Sequence, residues 1–272
     1  MLRISFHGPI TRLRMARTLF GRPGYEVSAY AYGGFLIDSG PPTSAGQLVD
    51  WCREHPEIRR VVLTHHHEDH VGGAAALQEK LKLPVHAPAL AVPILAEGLR
   101  MPLYRRAIWT RPRPFRAEPL GDWIEGAIEG EDCRLRVIPT PGHAMTHVCL
   151  FDEERRWLFS GDLYVHEKVR YLRRIENARE HIASLRRVLA LEPRLLICDH
   201  AGILEHAPER LARKIGFWED LAGKARELRD QGLSTRDIAH RLLGRDGFIS
   251  WASLGDFSHR NLIESLLTSP EG

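Results

Sequence analysis

The chain has 272 residues, 43% of them hydrophobic and 27% charged, with a formal net charge of +3 at pH 7. That length suits one large domain or a domain with an appendage, and the composition is that of an ordinary globular protein. So small a net charge does not by itself imply nucleic-acid binding. Cys52, Cys133, Cys149 and Cys198 lie far apart with no C-x-x-C pair, which fits reduced thiols better than a disulfide framework. No apolar run reaches the length of a membrane span, and the N-terminus lacks a continuous apolar signal region. A cytoplasmic protein without membrane attachment is therefore expected.

In chain order, "LRISF" reads as a first strand in preference to a transit peptide, although the N-terminus is Arg-rich with no acid before Glu26. "VSAYAYGGFLIDSG" reads as a hairpin turning at Gly33 and Gly34, followed by an amphipathic helix from about Ser44 to His55 with Ser44 as its N-cap. "RRVVLT" is a buried strand. After a histidine-rich loop come a helix beginning near Gly72 and Gly73, "AAALQEKLK", and a short strand, "PVHA". "RLRVIPT", "HVCLF" and "RWLFS" follow as compact strands. "IENAREHIASLRRVLALE" is a helix leading to a last strand, "RLLICD". This order suggests sheets covered by helices, with polar clusters at strand ends.

The histidine loop, "VVLTHHHEDHVGG", places four histidines and two acids at residues 65–70. His65 and His67 are two apart, so on an extended chain both point one way while His66 and Glu68 point the other. Asp69 and His70 follow where the chain should enter its helix. Three further clusters leave strand ends: "PTPGHAMTH" presents His143, "FSGDLY" presents Asp162, and "ICDHAG" presents His200. Each alone reads as a turn or surface residue. Together they supply five histidines and two aspartates, an N/O donor set suited to two divalent ions.

The H-x-H-x-D-H run at His65, His67, Asp69 and His70, followed by His143, Asp162 and His200, resembles the metallo-β-lactamase superfamily of dinuclear hydrolases. The resemblance covers roughly residues 25–204. It implies an α/β fold, the αββα four-layer sandwich, in a catalytic domain over residues 1–205. It also implies that His65, His67 and His143 hold one ion, that Asp69, His70 and His200 hold the other, and that Asp162 bridges them. Asp38 matches a recurrent family acid and is read as a buried hydrogen-bonding residue. Zinc is the expected metal, with iron or manganese as alternatives. Asp69 is the catalytic acid–base candidate beside the activated water. Asp162 stands where a classical β-lactamase of this family would carry a cysteine, so the resemblance turns towards glyoxalase II, lactonases and ribonuclease branches. The interval from Asp162 to His200 has no room for the long insert of the nucleic-acid-processing branch. A small ester, thioester or lactone, anionic in charge, is the expected substrate, with a metal-dependent endoribonuclease acting on RNA as the alternative.

Two stretches lie outside that set. "RMPLYRRAIWTRPRPFR", residues 100–116, carries six arginines and no acid, and its prolines argue against one long helix. Its Arg105, Arg106 and Arg111 are candidate substrate contacts, as are Tyr164, Lys168 and Arg170 after Asp162. Residues 206–272 read as a helical C-terminal region. A long helix starts there, and "LSTRDIAHRLLG" with "SHRNLIESLL" partly resembles a helix-turn-helix or winged helix; "GRDGFISWASLGDF" between them is too long for that turn. A helical cover that frames the mouth of the site is the preferred reading.

Overall fold

The computed structural model describes residues 1–19, 22–120 and 127–268. The first sheet comprises β1 (Leu2–His7), β2 (Ile10–Leu19), β3 (Arg22–Tyr32), β4 (Phe35–Ile37), β5 (Arg60–Val62), β6 (Val85–Ala87) and β7 (Glu118–Pro119), bonded in that order. Pairing is antiparallel from β1 to β4 and parallel from β4 to β7. Parallel neighbours need crossovers. These are supplied by α1 (Ala45–Glu54), by α2 (Glu68–Val71) with α3 (Ala74–Leu81), and by α4 (Val92–Glu97) with α5 (Leu103–Trp109).

The chain continues through β8 (Ala127–Glu129), β9 (Arg134–Pro139), β10 (Val148–Asp152), β11 (Trp157–Gly161), a short β12 (Leu172–Arg173), α6 (Ala178–Leu189), β13 (Leu195–Cys198) and β14 (Gly202–Glu205). It ends in α7 (Ala207–Asp230), α8 (Thr235–Leu243), α9 (Phe248–Ala252), a short β15 (Phe257–Ser258) and α10 (His259–Leu267). The second sheet runs β14-β13-β11-β10-β9-β8, and β12 pairs with β15. No helix among the described residues is long and apolar enough to cross a membrane.

Period-2 alternation explains how the sheets stack. Val148 and Leu150 of β10, Leu195 and Ile197 of β13, and Tyr30 and Tyr32 of β3 meet in a core between the sheets. Their neighbours face outwards. Ala29, Leu36 and Val61 meet α1 and α3, while Cys149, Phe151, Leu196 and Cys198 meet α6 and the C-terminal helices. The result is the expected αββα sandwich. Leu211, Trp218, Ile238, Leu262 and Leu266 belong to the same apolar cluster as β10 and β13, so α7, α8 and α10 extend the outer layer on the second sheet.

Three local expectations need correction. Ser44 stands at the cap position of α1, but a 3-10 turn over Pro42–Ser44 gives it φ −105° and ψ 0°, and its side chain caps nothing. An N-cap hydroxyl needs extended backbone to reach back to the first turn. The helix expected near Gly72 is two short helices, α2 and α3. Gly72 has ordinary helical torsions, and glycine serves there because a Cβ would lie 2.2 Å from Pro42 N. Finally, β14 follows His200 and pairs antiparallel with β13 where the sequence had suggested no further strand.

Candidate metal centre

The chemistry-bearing loops leave the C-terminal ends of β4, β5, β9, β11 and β13. Backbone bonds tie the two sheets together at that end: Val148 N donates to Thr64 O at 2.9 Å and Ser28 N donates to Asp199 O at 2.8 Å. Gly161 turns the chain out of β11 at φ +47°, and a Cβ there would meet His147 Nε2 at 2.7 Å. Only glycine fits, and the next residue, Asp162, is thereby aimed at the loops of the other sheet.

All seven candidate side chains converge. The potential ligand atoms of His65, His67, His143 and Asp162 lie within 4.8 Å of one another, as do those of Asp69, His70 and His200. His67 Nδ1 is 3.0 Å from His65 Nε2 and 2.9 Å from His143 Nε2. Asp162 touches both groups. Its Oδ2 is 3.2 Å from His143 Nε2 and 3.4 Å from His70 Nε2, and its Oδ1 is 3.3 Å from His200 Nε2. His200 Nε2 is also 3.5 Å from Asp69 Oδ2. Buried His70 Nε2 and Asp162 Oδ1 have no hydrogen-bond partner. Buried polar atoms are otherwise nearly always satisfied, so this pair, set among imidazoles and carboxylates, fits a divalent cation.

A surrounding shell fixes the rings. Thr64 Oγ1 is 3.0 Å from His65 Nδ1, Glu176 Oε1 is 3.1 Å from His143 Nδ1, and His200 Nδ1 is 2.8 Å from the carbonyl of Glu26. Asp38 Oδ2 lies 2.9 Å from His70 Nδ1, and Asp38 accepts from Thr64 N and Oγ1 at 2.8 and 2.7 Å. Each contact leaves Nε2 facing the cluster. His67 is reversed, with Nδ1 inward and Nε2 3.2 Å from Arg173 Nη1. His147 accepts from Asp162 N at 3.1 Å and bonds Thr140 Oγ1 at 2.7 Å.

Electrostatics complete the picture. Burial, reinforced by neighbouring imidazoles, pushes His65 and His67 well down and His147 down to about 3, so their lone pairs are free at neutral pH. Burial opposes ionisation of Asp162, but His200 and His70 outweigh it and hold the carboxyl well down. Asp69 is likewise held down against burial, by His70, His200 and Arg105.

Other expectations fail on contact with the fold. His66 and Glu68, read as pointing away from His65 and His67, are enclosed by protein: His66 Nδ1 is 2.7 Å from Thr146 Oγ1, and Glu68 is buried against Arg105. The chain leaves the extended form at His67 and enters α2 at Glu68, which turns that carboxylate inwards. Arg105 is not a free substrate contact, because Glu68 and Asp69 occupy its guanidinium. Tyr164 is buried in the outer core with Lys214 Nζ 5.6 Å from its ring centre, leaving no face for a substrate. Arg106, Arg111, Lys168 and Arg170 are exposed, and none lines the cavity beside His67. Arg173, three residues beyond Arg170, is the one that reaches the site.

Several site residues escape sequence reasoning. His147 lay in view at the end of "PTPGHAMTH", four residues after His143. Asp199, whose Oδ2 lies 2.8 Å from His70 Nδ1, likewise stood beside His200 in "ICDHAG", whereas Arg173 and Glu176 carry no local signal. Tyr25 stacks on His200 with ring centres 4.7 Å apart, and Trp109 stands edge-on to it at 6.0 Å.

Comparison with known proteins agrees with this geometry. The family model described as "Metallo-beta-lactamase superfamily" matches residues 23–200. A hydroxyacylglutathione hydrolase of Bdellovibrio bacteriovorus is 28% identical over 165 residues, which are 58% of this chain and 56% of that protein. The thioesterase pkgB of Emericella nidulans is 29% identical over 183 residues, 66% of this chain and 46% of that protein. The chain thus spans about half the length of these curated relatives. Among solved structures, a beta-lactamase domain protein from Burkholderia ambifaria superposes with TM-score 0.70 at 18% identity, covering 97% of this chain and 87% of that one. A metallo-beta-lactamase family protein from Thermus thermophilus gives 0.65 at 21% identity, covering 95% and 91%. With the matched span running from β3 to His200 and so enclosing every loop of the cluster, the chain belongs to the metallo-beta-lactamase superfamily.

Proposed function

We propose that the chain is a hydrolase that works with two divalent metal ions and cleaves the acyl bond of small thioesters. The observation that carries this reading is Asp162, whose two oxygens reach His143 on one side and His70 and His200 on the other. A carboxylate so placed offsets the repulsion between two cations, one among His65, His67 and His143 and the other among Asp69, His70 and His200. Zinc suits the imidazole-rich group, and the carboxylates make iron or manganese compatible. When bound, such ions supply Lewis acidity and lower the pKa of water.

The chain's own residues supply the rest. All four cysteines are buried, which argues against a thiol nucleophile. Asp69 is placed to orient the attacking water: Arg105 Nη2 steadies its Oδ1 at 3.5 Å while Oδ2 faces His200. Exposed Tyr25 offers an aromatic face beside His200 that suits an apolar part of a substrate, and buried Trp109 supports it edge-on. The thioester preference is supported by the two named relatives, one a thioesterase and the other a hydrolase of an acylated thiol.

The test is metal analysis of the purified protein followed by turnover on thioesters, lactones, phosphodiesters and structured RNA. Two divalent ions per chain and chelator-sensitive thioester cleavage are expected. Cleavage of RNA with inert thioesters would replace this reading with the ribonuclease one.

A further inference from the structure

Beside the cluster lies a cavity of about 300 Å³ that the histidine set does not explain. Ile94, Leu99, Met101, Pro102 and Ile175 give it an apolar wall, and His66, His67, Glu68, Arg105 and Arg173 close its inner end. Exposed Arg100 and Glu97 at the rim carry opposite charges. At about 30 Å³ per water in the liquid, the volume is that of roughly ten waters, room for a short acyl chain.

The inner end holds two guanidiniums that differ in how they are held. Arg105 is satisfied by Glu68 and Asp69. Arg173 is held more loosely: it is buried, its Nε has no hydrogen-bond partner, and its ion pair to Asp256 is long. The carboxylate nearest it, Asp256, sits 3.5 Å away with the same Oδ2 already accepting from the Tyr104 hydroxyl. Arg173 Nη1 lies 3.2 Å from His67 Nε2. When His67 Nδ1 holds a metal ion, the neutral imidazole carries its proton on Nε2 instead of accepting there from Arg173. Two N–H donors then face each other at the end of an apolar cavity. An anionic oxygen accepting from both satisfies them, and a guanidinium is suited to a carboxylate.

We propose that this cavity is the acyl subsite and that it selects a short acyl group ending in a carboxylate, with the chain along Leu99 and Met101 and the carboxylate at Arg173 and His67. This deepens the hydrolase reading and rests on it for the word acyl. The binding of a carboxylate rests on the cavity alone.

Two measurements test it on the full, metal-loaded chain. In the first, glutaryl and pentanoyl thioesters of one thiol are compared by kcat/KM. Wild type should favour glutaryl at least tenfold, and Arg173→Met should reduce that ratio by roughly 10- to 100-fold, the scale of a hydrogen-bonded charge. Met101→Trp, which fills the cavity without touching the guanidinium, should raise KM for both. In the second, calorimetry compares glutarate with glutaramide, which keeps the chain and removes both charges. Glutarate should bind more tightly, and Arg173→Met and Met101→Trp should each weaken it. A ratio near one in wild type, or a ratio that survives Arg173→Met with metal content intact, overturns the proposal; so does glutarate binding that Met101→Trp leaves unchanged. Tight, Arg173-dependent glutarate binding without thioester turnover would keep the subsite and sink the hydrolase reading.

Discussion

Asp162 is the residue on which the two groups of donors depend, and its replacement gives the most direct check. Asp162→Asn keeps the shape but removes the charge that offsets two cations, so metal content should fall towards one ion per chain, with turnover falling alongside. Full occupancy by elemental analysis would show that the carboxylate does not bridge. His147 acts at one remove. Because it accepts from Asp162 N, His147→Phe should leave that N–H buried and unpaired at a cost of about 1–3 kcal/mol, and weaken metal binding roughly 10- to 100-fold. Competition with a chelator measures the second effect separately from the first. Lys214 poses a different problem: it is fully buried, its Nζ has no hydrogen-bond partner, and burial pushes its pKa from 10.5 down to about 8. The folded state therefore releases a proton that the unfolded chain keeps between about pH 8 and 10.5. The destabilisation is full below pH 8 and disappears as pH rises through that window, in total roughly 3 kcal/mol. Lys214→Met should be more stable than wild type at pH 7, and the gap should close by pH 10.5 in urea titrations. A constant gap would place the ammonium in a better-solvated site than the structure gives it.

At the scale of elements, the inner strands were legible because they are buried on both faces. The cores of "RRVVLT" and "RLLICD", VVL and LLIC, are apolar throughout, and the loops after them hold their chemistry in a few contiguous residues. That contiguity put His65, His67, Asp69, His70, His143, Asp162 and His200 within reach of sequence reading. Arg173 and Glu176 stayed hidden for the opposite reason. Arg173 ends the two-residue β12 and Glu176 lies in irregular chain between β12 and α6, and their partners, His67 and His143, are distant in sequence. The α2 turn misled for a geometric reason, since a period-2 reading of the loop was carried one residue too far. Its consequence is testable. Glu68 is the nearer of two carboxylates paired with buried Arg105, so Glu68→Ala should cost about 1.5–3 kcal/mol through a lost charged hydrogen bond, where a solvent-facing acid would cost almost nothing. Chemical denaturation decides between the two. The same change should loosen Asp69, which shares that guanidinium, and so lower turnover beyond the loss in stability.

Across the whole molecule, the C-terminal helices complete both the core and the site. Leu262, Ile263, Leu266 and Leu267 of α10 share one apolar cluster with Cys149, Leu196 and α6. Burying each is worth roughly 1.5–3 kcal/mol, so removing four approaches the 5–15 kcal/mol that holds an ordinary domain folded. A polar link runs alongside the apolar one: Asp256 joins Tyr104 of α5 to Arg173, and the Arg173 backbone N donates to Glu176, which holds His143. The sequence alone suggests that a chain ending at Gly232 would keep its metal, since every candidate ligand precedes that point. The packing predicts otherwise. Truncation after Gly232 should give a protein that binds an apolar dye, loses cooperative thermal unfolding and fails to hold stoichiometric metal. Asp256→Asn in the full-length chain separates the polar contribution: with the apolar packing intact it should fold cooperatively yet release metal to a chelator faster than wild type. A truncated chain that unfolds cooperatively with two ions bound would show that the helical layer is a detachable cover.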